Sequence, residues 1–142
     1  MKVRQAGFTL VEVLVTIGIV GVLAAIAYPS YEHYVRKSRY SELVSVAAPY
    51  KSAIATCYNV TKSLNSCFAN NNGVPNNVLN NSNGLMRYVI TIPNGVIFVF
   101  PNDRFGFTLL GDYYALIPTV TNGVLTWNYS GPGVTKGYVS NP

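Results

Sequence analysis

Residues 7–28 read Gly7-Phe8-Thr9-Leu10-Val11-Glu12, then VLVTIGIVGVLAAIAY from Val13 to Tyr28. The 21 residues from Phe8 to Tyr28 are long enough, as a helix, to cross about 30 Å of hydrocarbon. Glu12 is the one charged side chain between Phe8 and Tyr31. An ionised acid alone in hydrocarbon costs several kcal/mol, so a residue of this kind usually has a partner and a task.

The polar leader before this run holds Lys2 and Arg4 and closes on Gly7. A secretory signal has a shorter apolar stretch and carries its small-residue cleavage site after it. Here the small residue comes first, so the apolar run would remain on a processed chain. Lys2 and Arg4 favour a cytoplasmic leader, while Arg36, Lys37 and Arg39 beyond the span compete with that orientation. The charges leave the topology open, and its assignment rests on the leader motif.

A chain of 142 residues allows one domain with a modest core. Ten Lys and Arg stand against five acids, and loss of Lys2 and Arg4 would take the balance from +5 to +3. That mild excess permits weak attraction to nucleic acid or anionic surfaces and argues for neither. Cys57 and Cys67 are the two cysteines. Export across a membrane would place them in an oxidising compartment, so a disulfide is expected. Closing a loop of about eleven residues is worth roughly 2.5–3 kcal/mol in the chain-entropy account.

After Pro29 the polarity rises but helical spacing persists. Tyr31, Val35, Leu43, Val46, Ala47, Tyr50 and Ile54 recur at threes and fours, with Glu32, Arg36, Arg39 and Lys51 between them. Pro29 and Pro49 should each kink this helix. Running from Phe8 to about Tyr58 it would be ~75 Å long. The remaining chain cannot wrap such a rod, so its N-terminal half is expected to protrude.

Asn59 to Gly84 is Asn-rich and reads as a loop pinned at its root by the two cysteines. Strand patterns follow at Met86–Ile92, Val96–Phe100, Phe107–Leu110, Tyr113–Val120 and Val124–Tyr129. Pro93-Asn94-Gly95 and Thr121-Asn122-Gly123 are tight-turn sequences. The expected fold is α+β: a long N-terminal helix packed on an antiparallel sheet of about four strands.

Catalysis finds no constellation. His33 is the sole histidine and lies in a polar helical stretch beside Glu32. No nucleophile elbow, phosphate loop or metal-ligand spacing accompanies it, so no catalytic residue, cofactor or metal is expected. Asp103 and Asp112 are too few for a calcium cage. Trp127 and the eleven tyrosines are expected in sheet core and subunit contacts rather than in base stacking. The triplets at Asn59, Asn80 and Asn128 match the glycosylation pattern, as an Asn-rich chain does by chance.

Gly7 followed by Phe8-Thr9-Leu10-Val11-Glu12, the uncharged helix, and Pro29 and Pro49 resemble the type IVa pilins, and more broadly the class III signal peptide family. A weaker similarity to some gammaproteobacterial pilins runs through Ala55-Thr56-Cys57, Cys67 to Pro75, Leu125-Thr126-Trp127 and Ser130-Gly131-Pro132-Gly133. Many pilins close a C-terminal loop with a cysteine pair. This chain has no cysteine after Cys67, which moves the covalent staple to the helix exit.

The resemblance implies three parts: a cleaved leader (1–7), a membrane and filament-core helix (8–35) and a globular domain (36–142). A prepilin peptidase would cut between Gly7 and Phe8 and methylate the new amine. Glu12 would pair with the Phe8 amine of a neighbouring subunit, or with its own. Gly18, Gly21 and Ala25 would let helices approach, and Gly21 to Pro29 would partly lose its helix on assembly.

The implied partners are further copies in a helical filament, the inner membrane before assembly, the peptidase and the pilus assembly platform, with display at the cell surface. Adhesion, twitching and DNA uptake are the implied activities. The rivals are a minor or competence pilin, binding DNA or a surface through Lys62, Arg87, Arg104 and Lys136, and a type II secretion pseudopilin, which the scarcity of acids disfavours.

Overall fold

The computed structural model describes residues 7–140, so Lys2 and Arg4 of the leader lie outside the described part. The chain divides into two compact units, Met1–Val35 and Arg36–Pro142, each described by itself.

Helix α1 spans Leu10–Val46. In the first unit every described residue from Gly7 to Tyr34 is exposed, although most of the side chains are large and apolar. Pro29 lies inside α1 without ending it. Gly21 to Pro29 is helical throughout.

In the second unit the helix carries an irregular residue at Ala47, after which α2 runs Ala48–Thr61. Pro49 stands in the first turn of α2, where its missing N–H is no loss. The expected kink at Pro49 is thus a break in the hydrogen-bond ladder two residues earlier. The helical path also continues to Thr61 rather than ending near Tyr58. Lys62 ends it in the left-handed conformation (φ 55°), its N–H bonded to the Tyr58 carbonyl at 2.8 Å.

Four antiparallel strands follow in the order of the chain: β1 (Met86–Ile92), β2 (Val96–Pro101), β3 (Tyr114–Thr121) and β4 (Val124–Ser130). Val89, Ile97, Val99, Tyr114 and Leu116 turn inward and form one core with Tyr40, Leu43, Ala47, Tyr50, Ile54 and Cys57 of the helices. Ile90 pairs with Phe98, and Tyr88 with Phe100, on the opposite face. The β3–β4 hairpin turns on Asn122 and Gly123, both at positive φ (53° and 78°), the backbone a two-residue primed turn requires. Gly95, at φ 70°, lets the β1–β2 turn approach α2: a Cβ there would lie 3.0 Å from the Ile54 side chain. A short helix, α3 (Pro132–Thr135), follows β4.

Phe107–Leu110 is not a strand. The amides a ladder would have used are taken by carboxylates. Asp112 accepts from the Thr108 N–H at 2.8 Å and its hydroxyl at 3.1 Å, and Asp103 accepts from the Leu109 N–H at 2.7 Å. Phe107 is apolar because it anchors this turn in the core.

The Asn-rich segment is more ordered than its composition suggests. Val78 makes an isolated antiparallel bridge to Val89, Asn77 accepts from the Thr91 N–H at 2.7 Å, and the Asn81 N–H bonds to the Arg87 carbonyl at 3.0 Å. These contacts cover the β1 edge, which otherwise offers unpaired backbone groups.

Candidate functional site

The N-terminus of α1 is organised by Thr9 and Glu12. The Glu12 N–H bonds to the Thr9 hydroxyl at 3.3 Å, while the Glu12 carboxylate accepts from the Thr9 N–H and hydroxyl, each at 3.0 Å. Thr9 and Glu12 are therefore the N-cap and N3 residues of a capping box, which satisfies donors that no earlier turn can reach. The threonine-to-glutamate spacing was visible in the sequence as a helix-start signal. The carboxylate sits where the helix dipole favours negative charge.

Below this cap, Phe8, Glu12, Val13, Thr16 and Ile17 line an open apolar depression of about 230 Å³. A second, of about 390 Å³, is lined by Val15, Gly18, Ile19, Val22 and Leu23. A Cβ on Gly18 or Gly21 would meet no atom. The surface around Glu12 is thus a notched, apolar helix face with one capped carboxylate. Gly7 and Phe8 precede the helix, with Phe8 almost fully exposed.

Cys57, in the last turn of α2, forms a disulfide with Cys67, their Cα atoms 5.8 Å apart. Both residues are buried, and Thr61 lies beside them, its hydroxyl bonded to the Cys57 carbonyl at 2.8 Å.

The four basic residues of the expected stripe stand in different surroundings. Lys136 forms an ion pair with Asp112 at 2.8 Å and donates to the Gly111 carbonyl at 2.8 Å. Lys62 caps α2. Arg87 and Arg104 alone of the four line a common cleft. Asp112 also anchors the aromatic end of the core: its carbonyl accepts from the buried Tyr40 hydroxyl at 2.5 Å. Burial works to raise the Asp112 carboxyl, but the Lys136 ammonium and the Thr108 donors outweigh it and hold the carboxyl below its ordinary value. Burial pushes the Tyr40 and Tyr114 phenols up. The Tyr114 hydroxyl donates to the Leu43 carbonyl at 2.8 Å. Among the described residues no group of three or more His, Cys, Asp or Glu could hold a metal ion.

Residues 2–28 match the prokaryotic N-terminal methylation motif family. The chain is 37% identical over 96 residues to prepilin peptidase-dependent protein D of Escherichia coli K12, a match covering 66% of this chain and 62% of that protein. It spans about half the length, or less, of several other fimbrial relatives it matches. The fold is similar to the solution structure of the major type IV pilin PpdD from enterohemorrhagic E. coli, with a TM-score of 0.53 at 22% identity over 68% of this chain and 69% of that one. A fimbrial protein of Neisseria meningitidis serogroup B is 31% identical over 139 residues, covering 96% of this chain and 78% of its own length. With the methylation motif lying on the capped helix start and the sheet built as in a solved pilin, that near-complete match leaves one assignment: the chain belongs to the type IV pilin family.

Proposed function

We propose that the chain is a filament subunit: its leader is removed after Gly7 by a prepilin peptidase, the Phe8 amine is methylated, and the apolar helix passes from the inner membrane into a pilus displayed at the cell surface. The Glu12 carboxylate pairs with the Phe8 amine of a neighbouring subunit. The observation that carries this reading is a capped carboxylate on a helix whose apolar residues are all exposed from Phe8 to Tyr34. Such a surface needs lipid or other helices to cover it. In a dry bundle a charge without a partner is strongly disfavoured, whereas a charge met by an incoming amine fixes register and direction of addition.

The division into leader (1–7), core helix (8–35) and globular domain (36–142) follows from the same reading. So does the role of the disulfide, which fastens the exit of α2 where many pilins fasten a C-terminal loop. Subunits held by apolar helix packing can be withdrawn from the membrane and returned to it, and adhesion, twitching and DNA uptake are the activities such a fibre supports.

The test is Glu12→Val, expressed in a host with its own pilus machinery. The expected outcome is normal processing, read as the mass of a mature N-terminus at Phe8, with at least a tenfold loss of subunit from the sheared-fibre fraction. Fibres at wild-type yield would refute the pairing.

A further inference from the structure

The solvent face of the sheet is aromatic at one end. Tyr88, Phe98, Phe100 and Tyr113 all lie half-buried on the side opposite the helices, where β4 presents the polar Thr126, Asn128 and Ser130. Tyr88 meets Phe100 edge-on with ring centres 6.2 Å apart, Phe100 lies 5.2 Å from Tyr113, and Phe98 lies 6.3 Å from Phe100. Half-exposed rings gathered on one surface mark an interaction site more often than a scatter of single residues does.

This row ends at a polar cleft of about 180 Å³ lined by Asn80, Ser82, Arg87, Asn102, Asp103 and Arg104. Arg87 joins the two: its guanidinium lies 5.4 Å from the Tyr88 ring centre, and its Nε donates to the Tyr88 hydroxyl at 3.1 Å. The walls are held by main-chain contacts. The buried Asn102 amide donates to the carbonyls of Asn81, Gly84 and Met86 at 3.2, 2.9 and 3.3 Å. Asp103 is tied by the Leu109 N–H. The cleft is therefore built before any ligand arrives, which lowers the ordering cost of binding.

The geometry points to a binding site for an acidic sugar within a polysaccharide, its carboxylate against Arg87 and Arg104 and the C–H face of its neighbour on Phe100 and Tyr88. Guanidinium groups recognise carboxylates through paired hydrogen bonds. The Asn80 side chain, the Ser82 hydroxyl and the Asp103 carboxylate supply the mixed donors and acceptors that sugar hydroxyls require. Two arginines and one aspartate leave the cleft a single net positive charge. A nucleic acid, charged at every residue, would meet Asp103 and only two cations lining the cleft, Arg87 and Arg104, since Lys136 is paired with Asp112. This inference goes beyond the filament reading and is tested on dispersed subunits, so its failure leaves that reading untouched.

The experiment is calorimetric titration of the full mature chain in detergent micelles with three probes: a hyaluronan hexasaccharide (a uronic acid at alternate sugars), neutral chitohexaose and hexathymidylate. Hyaluronan is expected to bind at least tenfold more tightly than chitohexaose, with an affinity falling about as the first power of salt concentration. Arg104→Gln, at an exposed position, should cost at least tenfold for hyaluronan and leave the thermal midpoint unchanged. Phe100→Leu, which keeps the apolar volume but removes the ring, should cost about fivefold for an interaction of this size. Equal affinity for the acidic and neutral sugars overturns the proposal, as does unaltered hyaluronan binding by Arg104→Gln. Tighter binding of hexathymidylate with a steep salt dependence also overturns it, and assigns the surface to single-stranded nucleic acid.

Discussion

Asp112 is the residue whose environment does most at the end of the core far in sequence from the cap. Its carboxylate holds Lys136 and the Thr108 turn, and its carbonyl holds Tyr40. Because the folded carboxyl lies below its unfolded value of about 3.9, it stabilises the fold above that pH, and the stabilisation fades as pH falls through the folded value. Asp112→Ala should cost about 2 kcal/mol at pH 7, since it strands the Thr108 donors in a turn that cannot reorganise. Urea unfolding at pH 7 and pH 3 should show the wild type converging on the variant in acid. A stability gap unchanged between the two pH values would show that the carboxylate charge is not responsible. The neighbouring Gly133 is fixed by space: a Cβ would run into the Tyr40 hydroxyl and stand 3.1 Å from the Asp112 carbonyl. Gly133→Ala is therefore expected to break the Tyr40–Asp112 bond and cost roughly 2–3 kcal/mol, by overpacking and a lost buried hydrogen bond together. Thermal unfolding checks it, and a midpoint within a degree of wild type would contradict that account.

At the scale of elements, α2 works through one face. Tyr50, Ile54 and Cys57 follow at four and three residues and point into the sheet, while Ser52, Thr56 and Asn59 stay exposed. Ile54 is fully buried and touches the turn at Gly95. Ile54→Ala should cost about 3 kcal/mol, the range for opening a cavity in such a core. Gly95→Ala should also destabilise, because its backbone sits at φ 70° as well as against Ile54. Chemical denaturation of each variant with the disulfide intact is the check, and a loss under 1 kcal/mol for Ile54→Ala would mean the site collapses around the gap. This face was legible in the sequence because helical spacing and Pro49 both register locally. So were the four strands, whose alternation and Asn-Gly turns are short-range signals. Phe107–Leu110 reads as a strand because a turn anchored in the core by phenylalanine has a strand's composition. The carboxylates that replace its ladder act across gaps of four and six residues that no periodicity marks. The bridge from Val78 to Val89 was hidden for the same reason, since a single pairing amid asparagines has no pattern.

The whole molecule separates two kinds of apolar surface. Every buried residue among those described lies at Tyr40 or beyond, whereas the exposed large hydrophobics are concentrated from Phe8 to Tyr34. The first set closes a core, and the second awaits lipid or neighbouring helices. Stability of the fold and affinity for the membrane are then carried by different residues, so each can be removed while the other is measured. Among the described residues, deleting 1–35 takes away no buried side chain. The expected product is a soluble monomer whose thermal midpoint matches that of the full chain in detergent to within about 2 °C, a shift corresponding to well under 1 kcal/mol for a domain of this size. The full chain without detergent should instead sediment as large aggregates. Reduction of Cys57–Cys67 in the truncated form should lower stability by roughly 2.5–3 kcal/mol through the loop-closure term alone, a loss the membrane helix neither adds to nor relieves. A truncated chain that unfolds at a much lower temperature with its disulfide intact would mean that the apolar helix supports the core directly, and the separation of roles would have to be abandoned.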